Sequence, residues 1–211
     1  IRLSLVGSEM CIRDRFNIVP GLLGVILTMT MVMITSIAMT REAERGTMEN
    51  LLAMPSKPLE VMIGKITPYV LMGLVQTMII LLASNMLFHL PFVGSGSTFG
   101  LGVGLFILAN LAIGFTFSTI AKSQMQAMQL TFFFFLPSML LSGFMFPFQG
   151  MPKWAQYLGE ILPLTHFLRI VRGIMLKGTS LSLLSNEFLA LLAILIIVGI
   201  IAMLRYRQTL D

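Results

Sequence analysis

Side chains able to do chemistry are few in this 211-residue chain, and they stand far apart. His89 and His166 are 77 positions apart with no carboxylate or cysteine adjacent in sequence, so no HExxH zinc helix exists. Both histidines are read as interfacial. The single cysteine, Cys11, supplies neither a disulfide framework nor a Cys-based metal site. There is no GxxxxGK[ST] loop, so the chain cannot bind nucleotide in the P-loop manner. There is no GxSxG elbow either, and Gly94-Ser95-Gly96-Ser97 has no base nearby. What remains is charge. Glu160, Arg169, Arg172 and Glu187 gather late in the chain, and they read either as exposed interfacial charge or as the lining of an exit pathway.

The most informative charged stretch is earlier: Arg41-Glu42-Ala43-Glu44-Arg45-Gly46-Thr47-Met48-Glu49-Asn50-Leu51-Leu52-Ala53-Met54-Pro55-Ser56-Lys57-Pro58. Gly46 permits a bend, Thr47 can cap a following helix, Glu49 complements its dipole, and Pro55 ends it after roughly two turns. Met48, Leu51 and Leu52 then form a small apolar face. Such a helix could insert into a groove on a partner protein or lie on lipid headgroups.

The elements that must position these residues are apolar. The chain is 56% hydrophobic and 11% charged, against about 25% charged in soluble domains, so it is not a soluble domain. No Asp, Glu, Lys or Arg occurs from Phe16 to Thr40, Ile66 to Ala121, or Ser123 to Pro152. A bilayer core takes roughly 20 helical residues to cross, and Pro91, Gly94 and Gly96 divide the longest run in two. Five transmembrane spans are expected: A from Ile18 to Ala38, B from Ile66 to Phe88, C from Phe99 to Ala121, D from Met125 to Pro147, and E from Phe188 to Leu204. The fold class is an all-α, polytopic membrane helix bundle.

The net charge of +5 reflects Lys and Arg in short loops between spans, which gives no indication of nucleic-acid binding. Arg41, Arg45, Lys57 and Lys65 after span A, Lys122 after span C, and Arg205 and Arg207 after span E place those three connections on the cytoplasmic side. The D to E connection carries Lys153, Arg169, Arg172 and Lys177, yet alternation places it outside. Its apolar residues, Trp154, Tyr157, Leu158, Ile161 and Leu162, then Phe167, Leu168, Ile170, Val171, Ile174 and Met175, suggest two helices at or dipping into the membrane, separated by Pro163. Within the spans, Pro137 with Ser138, Ser142 and Gly143 is a candidate bend or gate, read more simply as packing. Gly100 and Gly104 have GxxxG spacing, expected to meet another span of the same chain. The Phe132 to Phe135 run is read as lipid-facing or core filling.

Two resemblances follow. Leu5-Val6-Gly7-Ser8-Glu9-Met10-Cys11-Ile12-Arg13-Asp14 resembles a translated sequencing-library adapter, so residues 1–15, which lack a helical period, are read as a non-native leader and set aside. The run Glu44-Arg45-Gly46-Thr47-Met48-Glu49-Asn50-Leu51-Leu52 resembles the permease subunits of type-two ATP-binding-cassette exporters. The likeness continues through Pro55 to Lys65, Gln124 to Gln129, Leu136-Pro137-Ser138-Met139-Leu140-Leu141-Ser142-Gly143-Phe144, Met151-Pro152 and Leu162-Pro163-Leu164, covering roughly Phe16 to Asp211.

The resemblance implies a cytoplasmic coupling helix at Glu44 to Met54 that contacts an ATPase subunit. Glu42, Glu44, Arg45, Gly46, Thr47, Met48, Glu49, Leu51, Leu52 and Pro55 would carry the ATPase coupling. It also implies two short external helices before the last span. ATP and magnesium would belong to the partner ATPase subunit, with no cofactor bound by this chain. The other partners would be a second permease subunit, in a homo- or heterodimer, and membrane lipid. The location would be the bacterial plasma (inner) membrane, multi-pass, with a cytoplasmic C-terminus. The nearest subgroup carries a further span and a large extracytoplasmic domain ahead of span A. Residues 16–211 are therefore expected to be a transmembrane permease domain, with the natural protein extending upstream.

The expected function is export driven by a separate ATPase; the chain itself is no enzyme. The alternative, an ion-coupled secondary transporter or channel, normally needs ionisable groups within spans, and spans A to E hold none at mid-depth. An intramembrane enzyme would need a pair of catalytic residue types converging there.

Overall fold

A polar backbone taken into hydrocarbon must satisfy its own hydrogen bonds, and an α-helix does so within one segment. The computed structural model describes the backbone of residues 2–45, 58–88, 95–146, 148–179 and 183–208. Side chains are described from Pro20 onward, apart from 58–63, 65, 87–88, 149, 176–177 and 206–208. These residues form seven α-helices and one short 3-10 turn. The helices are α1 (Arg2–Glu44), α2 (Pro58–Phe88), α3 (Gly96–Ile120), α4 (Gln124–Leu141), α5 (Lys153–Glu160), α6 (Pro163–Lys177) and α7 (Ser185–Gln208), with the 3-10 turn at Phe148–Gly150. No strand occurs among the described residues.

The backbone of residues 2–15 is helical, since α1 runs without a break from Arg2 through span A to Glu44. Among the described residues four helices are long and apolar enough to cross a membrane, at Pro20–Glu44, Ile66–Met86, Gly96–Ile120 and Ser185–Arg205. These correspond to spans A, B, C and E. Span D falls short on composition. Its helix, α4, has 18 residues, begins Gln-Met-Gln-Ala-Met-Gln, and stops at Leu141 rather than near Pro147. It nonetheless runs from one end of the bundle to the other, since Gln124 meets Glu44 while Phe144, just past its C-terminus, lies against Gly21.

α3 is the central element, packing against α1, α2, α4, α6 and α7. Its membrane window is 72% buried, against 11% for α2 and for α7, which are peripheral. Lipid tails are as apolar as leucine, so close packing and small residues rather than escape from water decide which faces meet. At the crossing of α1 and α3, a Cβ on Gly114 would sit 2.8 Å from the Val32 carbonyl oxygen, so only glycine allows that approach. The GxxxG pair behaves otherwise than expected. Gly100 and Gly104 face open space, and the close contact within the chain is made by Gly102, against Ile170 and Phe188.

The core joins Leu23, Leu27 and Met31 of α1, Phe106, Ile107 and Leu111 of α3, and Leu164, Phe167, Leu168, Ile170 and Ile174 of α6. Phe106 and Phe167 stack with ring centroids 3.9 Å apart. The D to E connection thus divides its labour. α6, opened by Pro163 at its first turn, is buried in the core, while α5 turns Trp154, Tyr157, Leu158 and Ile161 outward. The exposed Phe132 and Phe133 match the lipid-facing reading, while Phe135 packs on the core.

Candidate functional site

Polar side chains gather at the two ends of the bundle. At the first end, α1 finishes beside the start of α4. Of the expected coupling residues, Glu42, Glu44 and Arg45 close α1, with the Arg45 amide donating to the Arg41 carbonyl at 3.1 Å. Gly46, Thr47, Met48, Glu49, Leu51, Leu52 and Pro55 lie outside the described residues. Glu44 accepts two hydrogen bonds from Gln124, one from its backbone N–H (2.9 Å) and one from its side-chain amide (2.5 Å). Ser123 caps the same helix by accepting from the Gln126 amide at 3.3 Å, and the Gln126 side chain accepts from Lys122 N–H at 2.8 Å. Ser-x-x-Gln is the capping-box pattern, here with the glutamine reaching one residue further back than usual. The C-terminal part of α7 reaches this end too, since Ala202 packs with Met39 and Phe115. The connections after spans A and C and the end of span E therefore share one face, as the lysines and arginines suggest.

At the other end, α4 stops in a turn. Ser138 and Ser142 are buried, and their hydroxyls bond back within their own helix, to the Phe134 carbonyl at 2.7 Å and the Met139 carbonyl at 3.2 Å. Pro137 removes the amide that would pair with the carbonyl one turn earlier. Gly143 adopts φ +81°, a conformation that favours glycine, and its carbonyl accepts from both terminal nitrogens of Arg172 at 3.3 Å. Burial lowers the pKa of Arg172 from its ordinary value.

Beside it lies an interlocked ion cluster. Arg169 donates to both oxygens of Glu160, at 2.5 and 3.1 Å, and to Glu187 at 3.3 Å, with its guanidinium carbon 4.7 Å above the Phe148 ring. The Arg169 hydrogen bond holds the Glu160 carboxyl below the usual carboxylate range. Burial works to lower the Arg169 guanidinium, but the bonds and charges of Glu160 and Glu187 outweigh it and raise it above its ordinary value.

His166 has partners that sequence reading did not anticipate. Its side chain is buried, with Nδ1 2.5 Å from Glu187 and Nε2 2.8 Å from the Glu160 carbonyl oxygen. Carboxylates absent beside it in sequence arrive from α5 and α7. The available signal was its place one turn before Arg169, on the same face of an otherwise apolar helix. Of the four charges read as a group, Glu160, Arg169 and Glu187 meet, while Arg172 turns to the end of α4. The cluster ties α5, α6 and α7 together.

Between α1 and α2 lies an apolar cleft of about 600 Å³, lined among others by Ile26, Met31, Leu71, Val75 and Ile79. Gln76 is the polar residue of its lining, and its side-chain oxygen accepts a 3.0 Å hydrogen bond from the Thr30 hydroxyl.

Residues 4–176 match the family described as ABC-2 type transporter. The chain is 35% identical over 214 residues to "Inner membrane transport permease YhhJ" of Escherichia coli (strain K12), covering 98% of this chain and 57% of that protein. It is 32% identical over 210 residues to "Probable multidrug ABC transporter permease YbhR" of the same organism, covering 96% and 57%. It is 28% identical over 162 residues to "ABC transporter G family member 20" of Dictyostelium discoideum, covering 77% and 22%. The chain thus spans little more than half the length of the bacterial relatives. A match over most of its length, on a helical bundle in which four of the described helices are long and apolar enough to cross a membrane, establishes that this chain belongs to the ABC-2 type transporter family of membrane permeases.

Proposed function

We propose that this chain is the membrane-spanning permease part of an ATP-binding-cassette exporter, moving substrate out of the cytoplasm with energy from ATP hydrolysis on a separate ATPase subunit. The observation that carries this reading is the family match over residues 4–176. The sequence has no P-loop of its own, so ATP and magnesium belong to the partner subunit and this chain has no ATPase role. A second permease subunit, identical or different, completes the pathway. The location is a bacterial inner membrane with the C-terminus in the cytoplasm, in keeping with the name of one relative and with the basic ends of the spans.

The coupling role falls to residues 44–54 by the family likeness: the stretch begins at the end of α1 in sequence, and its displacement by the ATPase biases the spans between packed arrangements of differing access. Pro137, Ser138, Ser142 and Gly143 supply the turn at which α4 can bend. The test is made on the full-length protein with its ATPase partner in vesicles. Replacing Gly46 or Glu49 is expected to leave expression and ATP hydrolysis in place while export falls. Export unchanged in both variants would overturn the assignment.

A further inference from the structure

α4 is unusual in the bundle because opposite charges from two different helices sit on its two ends. A helix carries about half a positive charge at its N-terminus and half a negative charge at its C-terminus, strongest within the first and last turns. At the N-terminus the carboxylate of Glu44, from α1, accepts from the first backbone N–H of α4 and from the side chain on the same residue. At the C-terminus the guanidinium of Arg172, from α6, donates to the carbonyl of Gly143, just past the last turn. Between these points the hydroxyls facing the bundle are spent on their own helix: Thr131 on the Ala127 carbonyl and Ser138 on the Phe134 carbonyl. On the α1 side, Thr28 and Thr40 likewise bond to Gly24 and Ser36 of their own helix. The middle of α4 can therefore shift against α1 without breaking these bonds, while its ends are held by charge-assisted hydrogen bonds.

We propose that Glu44 and Arg172 are positioning residues that grip the two ends of α4. Movement of α1 where it joins residues 46–57 is thereby carried along α4 to the Ser142–Gly143 turn and into α6. This rests on the ATP-driven reading above and adds to it a route: α4 is the element that carries the displacement, and Glu44, at the start of the coupling stretch, is the residue that hands it to α4. Gln124 is the receiving residue, one that sequence reasoning places only in a matching run.

The test uses the full-length protein with its ATPase subunit in vesicles, with substrate export and ATP hydrolysis measured separately. Glu44→Ala and Arg172→Ala are each expected to lower substrate moved per ATP hydrolysed by about tenfold, as loss of a charge-assisted grip implies. In Arg172→Ala, which lies at the opposite end of the bundle from the coupling stretch, hydrolysis itself should stay near the parent rate. Glu44→Gln, which keeps one acceptor for the backbone N–H, is expected to recover part of the ratio. A parent-like ratio in both alanine variants, or export and hydrolysis falling together in proportion, would overturn the grip. A second measurement is independent of transport. With Glu44→Cys and Gln124→Cys as the two cysteines of an otherwise cysteine-free full-length protein, a short thiol-to-thiol crosslinker should join the two positions in membranes. Absence of the crosslink would overturn the grip even if the ATP-driven reading stands. Failure of that reading shows separately, as parent export indifferent to ATP.

Discussion

The two ends of the bundle are built to different standards. Where α1 meets α4, the polar tie between the two helices among the described residues is the exposed carboxylate of Glu44 on Gln124. At the opposite end Glu160, His166, Arg169, Arg172 and Glu187 join α5, α6, α7 and the end of α4, over a core in which Phe167 is fully buried. The difference teaches where a bundle of this kind can yield. On the proposed route the heavily tied end would serve as a reference frame, and the other end, more lightly tied among the described residues, would be where a small displacement meets the least resistance.

The comparison can be broken most violently at the tied end. Phe167→Ala removes a fully buried ring stacked on Phe106 and is expected to cost about 3–5 kcal/mol, read as a large fall in thermal midpoint in detergent. His166→Ala leaves Glu187 and the Glu160 carbonyl without their shared partner and should cost about 2 kcal/mol by the same measurement. Acid should act next. The Glu160 pKa is lowered in the folded protein, so its contribution is fully present above the ordinary carboxylate range and is lost as pH falls through that lowered value. Thermal midpoints measured down the pH scale should therefore hold near neutrality and drop only in acid, and the drop should shrink in Arg169→Ala, which removes the cause of the shift.

The smallest effect on stability belongs to the lightly tied end. Glu44→Ala should leave the thermal midpoint almost unmoved while changing coupling. A midpoint loss as large as that of His166→Ala would erase the contrast between the two ends.

Much of this fold was legible because composition decides it. Uncharged runs of membrane-crossing length located spans A, B, C and E to within a few residues at most of their ends, and Pro163 correctly separated α5 from α6. Span D was harder, since its first turns carry three glutamines and its passage across the bundle is visible only from its contacts at both ends. The GxxxG spacing misled because periodicity places Gly100 and Gly104 on one face without saying which face is inward. The site was less legible than the fold. Glu160, Arg169 and Glu187 could be grouped by proximity in sequence, but His166 gained its partners through the packing of three separate helices. Gln124 meets Glu44 across a separation of 80 residues, which no local pattern encodes.

The most direct test of the central claim is substrate efflux from vesicles holding the full-length protein and its ATPase subunit, with ATP supplied on the ATPase side and every ion gradient collapsed. Efflux that requires ATP hydrolysis and continues without any ion gradient is the expected result. Efflux that persists without ATP and stops when an ion gradient is dissipated would contradict the account and favour an ion-coupled carrier.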